Sequence, residues 1–281
     1  MPKLAIIDGD ILLYRCGFAA EKMLYQLYQH TEEGLTLLPL TDKRAINKHI
    51  KDNPDDSFEV YEEHQVEPPG HAVHALRELL DRIITESGAT KGYKIFLSGP
   101  TEQGFRHKLA TIREYKGNRK DARRPVHYDL LKQYLIDKWG AVVVNRIEAD
   151  DACAINAPGN VVCTIDKDLL QVPGLHHRFT DGKDVFEVDQ MTADQHLFSQ
   201  ILTGDTTDNI VGCPGIGEKK AQEILLNCAT AKEMLQAVRS TYIERWPEES
   251  TLTPDEALDE NAALVYLLRN GEDQWDRNKY S

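Results

Sequence analysis

Acidic side chains fall in four short clusters along the chain, and carboxylates grouped in this way are typical of sites that bind cations. Clustered carboxylates repel one another at neutral pH, and bound cations remove that cost. Oxygen ligands suit Mg²⁺ or Mn²⁺, and two such ions can stabilise a phosphodiester during its hydrolysis. A single acid after a strand can instead cap a helix, as Asp150 or Asp166 would. The candidate metal ligands are Asp8, Glu148, Asp150, Asp151, Asp166, Asp168, Asp205 and Asp208.

A basic segment lies between the first two acid clusters. Residues 106–124 contain eight Lys or Arg and only two acids, in a chain whose formal net charge is -13. This segregation predicts a positive surface that guides a phosphate backbone toward the acids. A solvated helix face is the alternative, and it is weakened because few acids are interleaved to form i,i+4 pairs. The cations are Arg106, Lys108, Arg113, Lys116, Arg119, Lys120, Arg123 and Arg124.

A glycine-rich turn lies between two helical patterns at residues 212–217, where the sequence reads Gly-Cys-Pro-Gly-Ile-Gly. Gly215 and Gly217 would let the backbone approach a ligand closely, and the amides of the next helix would form an anion site beside Lys219 and Lys220. Such contacts position a nucleic acid without reading its sequence. A plain turn is the alternative.

The elements that must position these residues follow from short apolar runs alternating with helical patterns. Strands are predicted at 4–7, 93–97, 141–144 and 161–165, with amphipathic helices between them, which is typical of a doubly wound α/β fold with a mostly parallel sheet. Three acid clusters then follow strand ends and would converge on one crevice.

Two regions depart from this pattern. Residues 31–69 contain strand patterns at 35–40 and 58–66 around a short basic helix, an excursion to which no chemistry is assigned. After residue 190 the strand signal stops, and helical patterns at 192–203, 217–227, 230–246 and 254–269 predict an all-helical C-terminal part.

Composition indicates a globular protein, since 41% of the 281 residues are hydrophobic and 28% are charged. Five cysteines without a CxxC pair argue against a disulfide framework or a zinc site. The apolar stretch at the start of the sequence is too short for a signal peptide, and no later apolar run approaches the length of a membrane span. We therefore expect a cytoplasmic protein without a membrane partner.

Six motifs occur in the order seen in the 5'-nuclease superfamily, and the chain resembles the short bacteriophage (podophage-type) 5'→3' exonucleases of this superfamily, which also contains the flap endonucleases. One departure concerns the second predicted strand, where the family usually has an acid and this chain has Ser98; water or Glu102 would have to substitute. The motifs begin at Asp8, Tyr115, Glu148, Asp166, Gly204 and Pro214.

The resemblance implies a PIN-like domain at 1–190 with a helical arch at about 101–124, and a helical DNA-binding region at 191–281 with a helix-hairpin-helix (helix-three-turn-helix) element at about 192–227. It implies two Mg²⁺ or Mn²⁺ ions held by the acids named above, and a monovalent cation such as K⁺ at the helix-hairpin-helix. Lys116 and Arg119 would contact and polarise the scissile phosphate. The residues expected to contact DNA are Arg15, Arg106, Tyr115, Lys116, Arg119, Gly215, Gly217, Lys219 and Lys220.

The implied reaction is hydrolysis of duplex DNA from 5' ends by metal-activated water, with RNA in RNA·DNA hybrids as a further substrate. The expected enzyme is a monomer in the host cytoplasm that serves phage DNA replication or recombination. Two alternatives stay open: a structure-specific 5' flap endonuclease, and a DNA-binding protein with impaired catalysis, which the serine at 98 motivates.

Overall fold

The computed structural model describes residues 3–100, 104–119, 122–180, 184–271 and 273–280. The strands are β1 (Ala5–Asp8), β2 (Glu21–Thr31), β3 (Gly34–Leu38), β4 (Phe58–Val66), β5 (Tyr93–Ser98), β6 (Val142–Val144), β7 (Val161–Cys163), β8 (Gly174–His177) and β9 (Phe186–Val188). The helices are α1 (Gly9–Ala19), α2 (Lys43–Asp52), α3 (Pro69–Glu86), α4 (Phe105–Leu109), α5 (Tyr128–Trp139), α6 (Ala149–Asn156), α7 (Gln190–Thr203), α8 (Glu218–Leu225), α9 (Ala231–Arg245) and α10 (Pro254–Val265).

The chain divides into two units. Unit 1 comprises Met1–Leu12, Glu78–Arg123 and Gln133–Ser281, and unit 2 comprises Leu13–Arg77 and Arg124–Lys132. The predicted division at residue 190 does not coincide with these units and stays a prediction.

Unit 1 contains a six-stranded sheet in the order β6-β5-β1-β7-β8-β9, parallel except for β9. All four residues of β1 are buried, as expected for a central strand covered on both faces. The mostly parallel α/β fold and its four predicted strands are confirmed. Strands β8 and β9 were not predicted, because Gly-Leu-His-His and a three-residue strand carry little β signal.

Helices α7 to α10 pack around a second core of unit 1 that includes Phe198 and Tyr242, both fully buried. Three of these four helices begin at a side-chain cap: Asp189, Thr230 and Thr253 each accept a backbone N–H of the first turn. The four helices predicted after residue 190 are therefore confirmed. None of the helices in the described part of the chain is long and apolar enough to span a membrane.

The segment predicted as a helical arch is short in helix. In its described residues, 104–119 and 122–124, it holds the five-residue α4 and a 3-10 turn at Gly117–Arg119. Residues Glu102 and Lys120, singled out from the sequence, lie outside the described residues.

Unit 2 contains a three-stranded antiparallel sheet in the order β3-β2-β4. Leu27 of β2 and Ile46 of α2 are among the buried side chains of this unit. Both strand patterns predicted between residues 31 and 69 are confirmed, and so is the helix between them. The long central strand β2 was not predicted.

Candidate functional site

The acid clusters meet at the carboxyl ends of the parallel strands in unit 1. Asp8 ends β1, Asp166 and Asp168 follow β7, and Glu148 directly precedes α6 after β6. Asp205 and Asp208 come from the loop that follows α7. The carboxylates that line one small cleft there are those of Glu148, Asp150, Asp168, Asp205 and Asp208.

A short relay of hydrogen bonds positions the acids after β7. Thr164 donates its hydroxyl to Asp8 Oδ2 at 3.3 Å, and the same hydroxyl accepts the Asp166 amide at 3.0 Å. The Asp168 amide in turn donates to Asp166 Oδ1 at 2.9 Å. Thr164 was missed by the sequence analysis, although a hydroxyl directly after a buried strand was the available signal.

Burial and crowding raise the pKa of four of these carboxyls. Burial, then the charges of Asp10 and Asp166, raises the pKa of Asp8 from 3.8 to about 8. Burial, then the charges of Asp166, Asp205 and Asp208, raises the pKa of Asp168 to about 7. The pKa values of Asp150 and Asp166 are also raised, with burial as the largest cause. Each of the four carboxyls would gain from a neutralising cation.

The Asp168 carboxylate also contains an oxygen atom that lacks a hydrogen bond in the described part of the chain. Its Oδ1 atom is buried and has no hydrogen-bond partner among the described residues. Such an atom loses its hydration without compensation. An orphaned carboxylate oxygen among oxygen-only donors fits a hard divalent cation.

Cations of the chain itself neutralise the other side of the cleft. Lys116 forms an ion pair with Glu148 and lies 3.5 Å from Asp208. Burial alone would raise the pKa of Glu148, but Lys116 and Arg106 outweigh it and lower that pKa. The Tyr115 hydroxyl lies 2.8 Å from carboxylate oxygens of both Glu148 and Asp208, and it can donate to one of them at a time.

These ion pairs occupy carboxylates that a complete metal site would need. In the ranges that the structure describes, no three His, Cys, Asp or Glu side chains are already arranged to hold a metal ion. Lys116 lies between Glu148 and Asp208 instead.

The basic segment around Lys116 lies directly on the loop that carries Asp208. The Lys116 amide donates to the Asp208 carbonyl at 2.8 Å. Asn118 Nδ2 donates to the Thr206 carbonyl at 2.7 Å, and Arg119 Nε to that of Thr207 at 2.9 Å. Lys116 itself has a φ of 56°, a left-handed conformation that non-glycine residues rarely adopt. The contacts on both sides therefore hold a strained residue over the acids.

Two predicted site residues have a different role. Arg106, expected to contact DNA, is 3% exposed, and Asp151, expected to bind metal, is fully buried. Arg106 donates to both Asp151 oxygens at 2.6 and 2.8 Å and to the Leu264 and Tyr266 carbonyls. Asp151 also accepts the backbone amides of Glu148 and Leu268. Because these contacts use both groups, the pair serves as an internal brace in the free protein, and the expected DNA contact of Arg106 and metal contact of Asp151 stay predictions.

Replacing Arg106 with Met is expected to destabilise the protein by about 3–5 kcal/mol, because Asp151 is left as an uncompensated buried charge. Urea unfolding followed by circular dichroism measures this loss. The double variant R106M/D151L removes both charges and should recover much of it. Equal stability of R106M and the wild type would contradict the brace.

The glycine loop has the open backbone predicted from its sequence. Gly215 has a φ of 72°, and no heavy atom of the described chain would lie within 4 Å of a Cβ added at Gly215 or Gly217. Gly217 caps α8, where Lys219 and Lys220 are exposed. Lys220 Nζ donates to the Gly215 carbonyl at 2.8 Å. The loop thus presents amides and cations together, as an anion site requires.

Tight backbone packing fixes the base of this loop. A Cβ at Gly204 would lie 2.3 Å from the Ile210 carbonyl oxygen, and one at Gly212 would lie 2.3 Å from the Gly204 nitrogen. Both glycines also have positive φ values. Arg15, the remaining predicted DNA contact, is exposed on α1 within unit 2.

The raised carboxyl pKa values predict how stability depends on pH. Because Asp8 and Asp168 bind protons more tightly in the folded state, their contribution is fully present below about pH 4 and is lost as pH rises through about 7 to 8. The metal-free protein should therefore melt at a lower temperature at about pH 8.5 than at about pH 6. Mg²⁺ should reduce this difference, because it binds the deprotonated carboxylates. Thermal melts in EDTA and in Mg²⁺ measure the effect, and identical pH dependence in both would contradict it.

No protein-family model matches the chain. DNA polymerase I of Bacillus caldotenax is 31% identical over 271 residues, 88% of this chain but 26% of the polymerase. The chain thus spans about a quarter of the length of this relative. Flap endonuclease Xni of Vibrio vulnificus strain YJ016 is 30% identical over 166 residues, 52% of this chain and 62% of Xni. The exodeoxyribonuclease of Enterobacteria phage T3 is 28% identical over 145 residues, 48% of this chain and 47% of that enzyme.

The fold has a counterpart among solved structures. T5 5'-exonuclease, solved with divalent zinc ions bound, superposes with a TM-score of 0.51 over 94% of this chain and 89% of that one, at 18% identity. The likeness confirms the predicted fold class, and the sequence relatives confirm the predicted resemblance. The chain is thus similar in sequence to a DNA polymerase I, a flap endonuclease and a phage exodeoxyribonuclease, and in fold to a 5'-exonuclease, as expected from the predicted resemblance to the 5'-nuclease superfamily.

Proposed function

We propose that the protein is a divalent-metal-dependent 5'→3' exonuclease that hydrolyses duplex DNA from its 5' ends. One observation carries the proposal: buried carboxylates with raised pKa values lie at the strand ends, opposite Lys116 and Arg119. Carboxylates in need of cations beside side chains that bind phosphate are the groups that phosphodiester hydrolysis requires.

Two Mg²⁺ or Mn²⁺ ions would be held by Asp8, Asp150, Asp166 and Asp168 in this proposal, with Asp205 and Asp208 lining the same cleft. The orphaned Asp168 oxygen and the raised pKa values support that assignment. When bound, the ions supply Lewis acidity, which activates water and neutralises charge on a phosphate.

The chain's own cations bind and orient the scissile phosphate. Lys116 Nζ is a mobile point charge that exchanges Glu148 for a phosphate oxygen, whereas the planar Arg119 guanidinium binds in a fixed geometry. Arg119 Nε is already anchored on the Thr207 carbonyl, which limits the freedom that its outer nitrogens lose on binding. The Tyr115 hydroxyl donates to either Glu148 or Asp208 and so helps to hold one of the two carboxylates in place during this exchange.

The glycine loop and the start of α8 bind the duplex as a helix-hairpin-helix. The open backbone at Gly215 and Gly217 supports contact with a phosphate, and Lys219 and Lys220 reinforce it. A monovalent cation such as K⁺, which the family resemblance implies, would be held at this loop. These contacts position DNA without reading its bases. RNA in RNA·DNA hybrids is a further substrate, and the enzyme acts as a monomer in the host cytoplasm during phage DNA replication or recombination.

A flap endonuclease is the second candidate, and the Vibrio relative of that name favours it. Cleavage of a blunt duplex labelled at its 5' end is compared with cleavage of the same duplex carrying a 5' flap, with Mg²⁺ and with EDTA. Mg²⁺-dependent release of mononucleotides from the blunt end supports the exonuclease. Release of an intact flap, with the blunt duplex untouched, would support the flap endonuclease. No hydrolysis on either substrate would leave the third reading, a DNA-binding protein with impaired catalysis.

A further inference from the structure

Asp10, two residues after Asp8, is an acid to which no role is assigned above. Its amide donates to Asp8 Oδ1 at 3.2 Å. Its carboxylate accepts the Ser98 amide with both oxygens, at 3.1 and 3.2 Å. Asp10 therefore holds a negative charge at the carboxyl end of β5, where the Ser98 side chain carries none.

The close approach of α1 to β5 depends on Gly9. A Cβ at this position would lie 2.7 Å from the Phe96 carbonyl oxygen and 2.8 Å from side-chain atoms of Ile95 and Leu97. Real Cβ atoms do not approach backbone oxygen so closely, so another residue would push the start of α1 away from the strand. The sequence Asp-Gly-Asp at residues 8–10 thus brings the second carboxylate to β5.

The Ser98 hydroxyl has a different hydrogen-bond partner. Its Oγ atom accepts the Ala149 amide at 2.9 Å, at the start of α6. Ser98 therefore links two helix beginnings, through its amide to Asp10 and through its hydroxyl to Ala149. Asp8 directly precedes the first of these helices and is bonded by the Asp10 amide, and Asp150 lies in the first turn of the second.

We propose that Asp10 is a further acid of the metal site, which contributes at the end of β5 the negative charge that attracts a divalent cation. The inference rests on the proposed function. A purely structural Asp10 would serve as a hydrogen-bond acceptor, as it does toward the Ser98 amide, and a neutral side chain could accept that bond as well. The two roles therefore separate when the charge is removed and the acceptor is kept.

Asp10→Asn makes this separation, because the amide oxygen still accepts the Ser98 N–H. Mn²⁺ binding to the full chain without DNA is measured by isothermal titration calorimetry. The dissociation constant of D10N should rise about tenfold, as is typical when a supporting group of a metal site is lost. The matched control Asp129→Asn, which neutralises an exposed acid on α5, should bind Mn²⁺ like the wild type. The double variant D10N/S98D restores a carboxylate at the end of β5 and should recover much of the affinity.

Equal Mn²⁺ affinity of D10N and the wild type would overturn the inference while leaving the proposed function intact. If D10N unfolds, the double variant decides. A folded D10N/S98D with the Mn²⁺ affinity of the wild type supports the inference, and a folded D10N/S98D that binds Mn²⁺ about tenfold or more weakly than the D129N control overturns it. Absence of Mn²⁺ binding by the wild type would overturn the proposed function together with this inference.

Discussion

Asp166→Asn is expected to lower hydrolysis of duplex DNA by at least about 10³-fold. Asparagine keeps the size of the side chain and can still accept the Asp168 amide, so the local fold is retained. It removes a charge that the proposed site needs for cation binding. DNA binding should persist, and should even tighten, because the cleft loses a negative charge that repels phosphate.

Release of 5'-labelled nucleotides in Mg²⁺ measures turnover of D166N, and fluorescence anisotropy with a labelled duplex measures binding. Asp129→Asn, on the exposed face of α5, is the control and should retain wild-type turnover. Unchanged turnover of D166N would remove the acid after β7 from the proposed site.

Lys116→Ala is expected to have two effects of opposite sign. Turnover should fall by about 10²–10³-fold, because a cation that stabilises charge on the scissile phosphate is lost. Mn²⁺ binding to the DNA-free protein should become tighter, because Lys116 no longer pairs with Glu148 and Asp208. In the free protein, Lys116 thus competes with the metal ion for these carboxylates. A bound phosphate ends this competition because it pairs with Lys116 instead.

Calorimetry with Mn²⁺ and single-turnover hydrolysis test the two effects separately. Lys232→Ala, an exposed residue on α9, serves as the matched control. Weaker Mn²⁺ binding by K116A, or turnover equal to that of the control, would contradict the account.

The strand ends of the site could be predicted because β1, β5 and β7 are short apolar runs. A fully apolar run in a parallel sheet is buried on both faces, and the acid that follows it must emerge at the sheet edge. This reasoning located Asp8 and Asp166 correctly beside each other. It needed no knowledge of distant contacts.

Contacts between distant segments could not be predicted in the same way. Lys116 and Arg119 contact the loop that carries Asp208, although about 90 residues separate them from that loop in the sequence. Their charges and the acids are visible in the sequence, but their pairing depends on how residues 116–119 pack against the loop after α7 in the folded chain. The sequence therefore predicted the residue types at the cleft and left their mutual ion pairs unknown.

Asp151 shows what an acid motif alone does not predict. It follows Glu148 by three residues, the spacing of a helix capping box, and its carboxylate accepts the Glu148 amide. Its other contacts come from Arg106 and Leu268, which no local pattern links to it. The motif therefore predicts the residue type at this position but not these hydrogen bonds in the metal-free protein.

The metal site is tested most directly by a crystal structure of the protein soaked with Mn²⁺, in which anomalous scattering locates each ion. We expect Mn²⁺ to be bound by Asp8, Asp150, Asp166 and Asp168 at the strand ends. A cleft without Mn²⁺, in a protein that hydrolyses DNA under the same conditions, would contradict it.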